Sequence, residues 1–309
     1  MFATALFAAA LLAQPGVLHG APAQPAPDST AEITVYGHII RDAPTLVERF
    51  GRPTSGDRLA RWREPVCVGV DGLDPQHDRW LAARIGDIAE NVGAPVGPSG
   101  CTANIVVLVA QQDLALRQRI GQRAYRYLNA AARPVDKTQL AAFVRADGAP
   151  AHLFYATGTA VGATGVSLAS GYSNTAQFGL NQSLGAPVVQ GQASRLIPIA
   201  EPSLARVVLV LDGGRLEGKS LEQVAAYAAL VTLAEVRIDP PLREPASIAA
   251  LFTDASPDDL TVWDRAYLKG LYSSGSQINL SMQQSVLADR LTQVVRAIAK
   301  RPSAPLAGP

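Results

Sequence analysis

Cysteine and histidine are scarce in this chain of 309 residues, at two and four respectively. That excludes a cysteine-rich scaffold and a protein built around several metal sites. Neither sign of charge is in excess: 27 Lys+Arg against 26 Asp+Glu leave a formal net charge of +1. A protein dedicated to nucleic acid or to an anionic membrane surface usually needs a basic surplus, so neither partner is expected. Charged residues are only 17% of the chain and apolar residues 48%. Such a chain can bury a sizeable core, which excludes wholesale disorder. No apolar run reaches the ~20 residues that span a bilayer; the stretch 224–234 is too short and reads as a core helix.

Several chemical signatures are also missing. There is no H-E-x-x-H, and zinc catalysis needs three converging protein ligands. His38, His77 and His152 are far apart in sequence, and no histidine follows them. Gly165-Val166-Ser167-Leu168-Ala169 comes nearest to a nucleophile elbow but lacks the second glycine, and only His152 offers a base for Ser167. No G-x-x-x-x-G-K-[ST] occurs, and no G-x-G-x-x-G opens a helix, so no nucleotide cofactor is expected. Carboxylate pairs remain for acid–base work: Asp212 at a strand end, Glu235 near the end of a buried helix, and Asp264. Such groups more often cap helices or pair with cations, here Arg237 or Arg265.

What is present begins with an address. Residues 2–13 are apolar, and Ala21-Pro22-Ala23 fits the small-x-small pattern ahead of a signal-peptidase cut. The expected order is a signal peptide at 1–23, a mobile leader at 24–31, one globular domain at 32–300 and a disordered tail at 301–309. The mature protein is expected to be exported, in the periplasm or outside the cell. Export makes Cys67 and Cys101 partners. Val66–Val70 reads as a strand, Asp74-Pro75 as a helix start, and Leu81, Ile85, Ile88 and Val92 as one helix face ending at Gly93. Asn104–Val109 is a strand buried on both faces. In a βαβ unit with neighbouring strands, the two cysteines lie at the same end of both.

Ile33-Thr34-Val35-Tyr36 reads as a short strand, and residues 114–132 as a helix with a solvated arginine face. Residues 157–194 are rich in Gly, Ser, Thr and Asn and hold no charge, which suggests a long loop or hairpin. Val207–Leu211 is another buried strand, turned by Asp212-Gly213-Gly214. Ser220-Leu221-Glu222-Gln223 matches a capping box ahead of an apolar helix that Pro240 and Pro241 would end. Ser256–Asp259 and Thr261 offer further helix starts, Trp263, Tyr267 and Leu271 mark one helix, and Leu280 to Ile298 stripe the last. The fold class is therefore α/β (α+β): a mixed sheet with core helices.

The order from Val207 onward carries a resemblance. After the core helix come Ala246-Ser247-Ile248-Ala249-Ala250-Leu251-Phe252 and Leu260-Thr261-Val262-Trp263-Asp264-Arg265-Ala266-Tyr267-Leu268-Lys269-Gly270-Leu271-Tyr272. These segments, with Arg61–Cys67 upstream, resemble uncharacterised exported bacterial proteins of the zincin-like, zinc-peptidase kind. The resemblance implies a zincin-like architecture in which the helix at 221–234 stands for the metal-binding one. Here Tyr227 and Val231 occupy the ligand positions and Ala228 the general-base position, so the site is degenerate. It also implies a residual groove edged by strand 207–211 and roofed by the glycine-rich stretch. The expectation is a pseudoenzyme: an exported, non-catalytic binding or structural protein, without metal or cofactor, whose partner is a cell-envelope protein or peptide. The alternative is an exported hydrolase using Asp212 and Glu235, or Ser167.

Overall fold

The computed structural model describes residues 29–54, 58–128, 135–161, 200–238, 246–254, 256–277 and 279–300. The chain runs α1 (Ser29–Phe50), β1 (Arg61–Trp62), β2 (Val68–Asp71), α2 (Pro75–Val92), β3 (Ile105–Ala110), α3 (Asp113–Gln122), α4 (Ala124–Tyr127), α5 (Lys137–Phe143), β4 (Ala151–Val161), β5 (Ala200–Asp212), α6 (Leu221–Leu233), α7 (Val262–Ser273) and α8 (Leu280–Ala299). Short 3-10 turns cover Gly213–Leu216 and Ile248–Ala250.

The sheet is mixed, as the patterning predicts. β5 lies at its centre. β4 runs antiparallel along one flank, while β1 and β3 succeed one another, both parallel, along the other. β2 is parallel to β3 and closes that side of the sheet. The βαβ unit is β2–α2–β3. Asp74 caps α2 through the amides of Gln76 and His77, and Gly93 ends it at φ 88°, a conformation that costs glycine nothing.

The period-2 alternation of the strands divides two cores. Val207, Leu209 and Leu211 point into the larger, with Ile105, Val107 and residues of α1, α2, α6, α7 and α8. Val208 and Val210 point the other way, onto Ile120, Leu128, Phe143 and Phe154. Two helix starts are fixed by reciprocal side-chain bonds. Ser220 and Gln223 form the expected capping box of α6, and Thr261 and Asp264 form a second at α7. α6 is buried from Gln223 to Leu233, which explains its apolar character all round.

Four readings change. Ile33–Tyr36 lies inside α1, not in a strand. Tyr36, Ile39, Ala43, Val47 and Phe50 recur at helical spacing and are buried, and that stripe outweighs the β-branched residues before it. Residues 29–31, assigned to the leader, open the same helix. α6 stops at Leu233, well before Pro240 and Pro241, because the next residues pair with the end of α1: Arg52 N donates to Glu235 O and Arg237 N to Phe50 O. Residues 256–259 start no helix; α7 begins behind Thr261.

The glycine-rich stretch proves to be partly strand: residues 157–161 continue β4, which pairs antiparallel with β5. The rest of it, the signal segment, residues 24–28 and the tail lie outside the described residues. Cys67 and Cys101 form a disulfide with Cα atoms 5.9 Å apart. No described helix is long and apolar enough to cross a membrane.

Candidate functional site: a cavity at the carboxyl end of β5

The chain leaves β3 and β5 toward opposite faces of the sheet. α3 follows β3 onto the smaller core, and α6 follows β5 into the larger. A cavity of about 350 Å³ lies at the carboxyl end of β5. One wall is the loop from Asp147 to Ala151 that leads into β4. Arg215 stands on the 3-10 turn after β5, and the apolar side is made by Tyr227, Ile238, Ala249 and Phe252.

Each wall has a local cause. Asp212 accepts the Gly214 amide through Oδ1 at 3.0 Å, and this turn presents Arg215. The Arg215 side chain is exposed and has no ion pair with a described residue. Tyr227 is 1% exposed, and its ring meets Phe252 edge to face. Burial raises the Tyr227 pKa, so the phenol stays neutral. Its hydroxyl makes no hydrogen bond to a described residue.

The loop wall is pinned from behind. His152 Nε2 and Asp147 Oδ1 are 2.9 Å apart, and Asp147 Oδ1 also accepts the Ala149 amide at 3.1 Å. Partial burial pulls the Asp147 carboxyl up, but the Ala149 amide and His152 outweigh it and hold the group below its ordinary range. On the other side of the ring, His152 Nδ1 lies 3.7 Å from Asp113 Oδ2. Arg117 donates to the same Asp113 oxygen from Nε and Nη2, at 2.9 and 2.8 Å, and its Nη1 donates to the carbonyls of Phe143 and Arg145. Arg117 is 1% exposed, so it does not belong to a solvated arginine face. Asp113 stands one helical turn before it, a spacing the sequence displays, whereas His152, which reaches the same carboxylate from β4, is too distant in sequence to be read as part of the cluster.

The other expected site residues do not gather. Ala228 and Val231 are fully buried; their carbonyls accept Thr232 Oγ1 at 2.6 Å and the Tyr155 hydroxyl at 2.7 Å. Of Tyr227, Ala228 and Val231, the positions that the resemblance assigns to a lost metal site, only Tyr227 borders the cavity. The expected groove edge is also revised: strand 207–211 has β3 on one flank and β4 on the other, so no groove can run along it. Asp212 and Glu235 lie at opposite ends of the sheet. Glu235 binds Ala60 N, next to the Arg61–Ser203 pairing, and from Ser203 to Asp212 the strand spans about 30 Å.

Glu235 is a structural carboxylate. It accepts the Ala60 amide at 2.6 Å, the Thr54 amide at 3.1 Å and the Thr54 hydroxyl. Burial raises its pKa against the pull of those donors. Asp264 is likewise buried, and takes donors from Ser247, Ile248 and Thr261. Burial raises its pKa too. The Ser247–Asp264 contact of 2.5 Å is a joint between the 248–250 turn and α7, sealed from the cavity. The expected cation partners lie elsewhere: Arg265 contacts Asp259, and Arg237 donates to Arg49 O. His38 sits on α1 beside Arg41, and His77 pairs with Asp74 at the start of α2. Among the described residues no group of three His, Cys, Asp or Glu is placed to hold a metal ion. Ser167 lies outside the described residues.

No protein-family model, no curated protein and no solved structure matches the chain.

Proposed function

We propose that this is an exported, non-catalytic binding protein, and that its ligand is a small carboxylate with an apolar or aromatic body. What carries the reading is one observation: the cavity combines an aromatic wall, Tyr227 and Phe252, with a cation, Arg215, that has no ion pair with a described residue, while Asp147, the acid that also lines it, is engaged by His152 and the Ala149 amide. Its volume of about 350 Å³ suits a ligand of small-molecule size or one terminal residue of a peptide. The phenol of Tyr227 is neutral and can donate to the ligand, and a guanidinium meets a carboxylate through two parallel hydrogen bonds. The lining residues hold no adjacent nucleophile and base, which is what a hydrolase would place there. The disulfide fits an oxidising compartment and so the exported state.

Calorimetric titration with 3-phenylpropionate, its amide and acetyl-Ala-Phe tests this. Saturable binding of the acid, with the amide weaker by about tenfold, supports the reading. Binding of acetyl-Ala-Phe in preference to the free acid assigns the site to peptide C-termini, and the reverse to free acids. Equal affinity for acid and amide, no heat with any probe, or consumption of a probe would contradict it.

A further inference from the structure

Among the described residues, β2, the strand that closes the sheet, has only the Val66–Val96 bridge along its outer edge. In β2, alternate residues turn their backbone groups to opposite sides. Cys67 O accepts the Ile105 amide, so 67, 69 and 71 face β3, and 66, 68 and 70 face outward. Val66 uses its outward groups: its amide donates to Pro95 O at 2.9 Å, and its carbonyl accepts Gly97 N at 2.9 Å. The segment at 95–97 is thus the start of a further parallel strand, bridged at Val66–Val96. It goes no further. Cys101 is drawn to Cys67, and a Cβ on Gly97 would lie 2.8 Å from both sulfurs. The chain turns away through Pro98, and the outward N–H and C=O groups of Val68 and Val70 have no backbone partner among the described residues. β2 reads Val-Gly-Val-Asp, with no proline or lysine, the residues that usually guard such an edge.

A groove of about 360 Å³ lies beside this edge. Its floor is the surface of α2 at Ala82, Ala83 and Gly86, and a Cβ at Gly86 would meet nothing within 4 Å. Side chains of an added strand therefore have room to point at the helix. Asp87 and Glu90 line the same groove, no Lys or Arg does, and neither acid is ion-paired to a described residue.

We propose that the β2 edge is a docking site for an extended, basic segment of another protein, which adds to the sheet as a strand. The backbone groups of Val68 and Val70 hold its main chain, and its Lys or Arg side chains reach Asp87 and Glu90. The acidic groove selects against a second copy of this chain, which would bring like charges to the same place. The surface is distinct from the cavity at the carboxyl end of β5, so either can stand without the other.

The test uses the disulfide-bonded protein and a fluorescein-labelled seven-residue peptide, Thr-Lys-Val-Lys-Val-Lys-Thr, with a twin carrying Glu for Lys. Anisotropy should report saturable binding of the Lys peptide, at least about tenfold tighter than the twin. Hydrogen exchange at the Val68 and Val70 amides should slow by about tenfold or more when the Lys peptide is present. Val70→Pro removes one outward N–H and no ladder bond, so the fold should survive while affinity falls by about tenfold. Asp87→Lys with Glu90→Lys changes only exposed side chains and should reverse the preference between the peptides, which keeps the test decisive if the proline variant fails to fold. No binding of the Lys peptide, unchanged exchange at Val68 and Val70, or affinity untouched by the charge reversal would overturn the proposal. So would concentration-dependent dimerisation that protects the same two amides without peptide.

Discussion

Tyr227 and Phe252 meet edge to face, with ring centroids 5.3 Å apart and planes at 79°. One ring comes from the core helix α6 and the other from the segment behind the 248–250 turn, so the contact ties two elements together where the cavity opens. Such pairs contribute about 0.5–1.5 kcal/mol beyond their buried area. Phe252→Leu keeps most of the bulk and should lower stability by about 1 kcal/mol in urea denaturation. It should weaken binding of 3-phenylpropionate more than it weakens the fold.

Glu235 makes stability depend on pH. Its folded pKa is raised from 4.5 by burial, so the folded chain holds the proton more tightly than the unfolded one. That contribution is fully present below the ordinary carboxyl range and is lost as pH rises through the raised value. Asp264 acts in the same direction from 3.8. Glu235→Gln is less stable overall, since the amide cannot accept from Ala60 and Thr54 at once. Its unfolding free energy should nevertheless fall less than the parent's as pH rises from 4 upward, as read by urea denaturation across that range. A parallel pair of curves would contradict the assignment.

The Cys67–Cys101 bond closes a separation of 34 residues. In the chain-entropy model such a closure stabilises by roughly 4 kcal/mol. Replacing both cysteines with serine should cost roughly 2–4 kcal/mol, and alkylation of the denatured, unreduced protein should label neither thiol. Because the bond also turns the chain at Gly97, exchange of the Gly97 amide should accelerate in the double variant.

Val231 is fully buried on α6, and its carbonyl takes the Tyr155 hydroxyl at 2.7 Å. Val231→Asp places a carboxylate in an apolar core and should destabilise the protein by more than about 3 kcal/mol. Val231→Ala removes volume alone and should cost less. Comparable losses in the two variants would mean that the site admits water.

Much of the architecture is legible in local sequence because local chemistry determines it. Asp74-Pro75 and Gly93 bracket α2, the Ser220–Gln223 box opens α6, and the runs at 105–109 and 207–211 are apolar at every position because both sheet faces are covered. The misreadings have different causes: the early end of α6 is set by pairing with the distant end of α1, while α1 itself is marked by a stripe longer than the segment first read as strand. Ile33–Tyr36 has strand propensity, but a stripe reaching to Phe50 makes it helix. The cavity was less legible. Tyr227 lies in an apolar run that the Ser220–Gln223 capping box marks as a helix, yet Arg215 and Asp147 belong to turns whose composition carries no binding signature. The Asp113–Arg117–His152–Asp147 network forms only once α3, β4 and the loop before it have come together.

The most direct test of the account is the affinity of the Arg215→Gln protein for 3-phenylpropionate and for its amide, measured calorimetrically beside the parent. Arg215 is exposed, so the substitution should leave the fold intact. Affinity for the acid should drop to the level of the amide, while affinity for the amide should not change. If the acid binds Arg215→Gln as tightly as the parent, or binds neither protein, the cavity is not the carboxylate site described above.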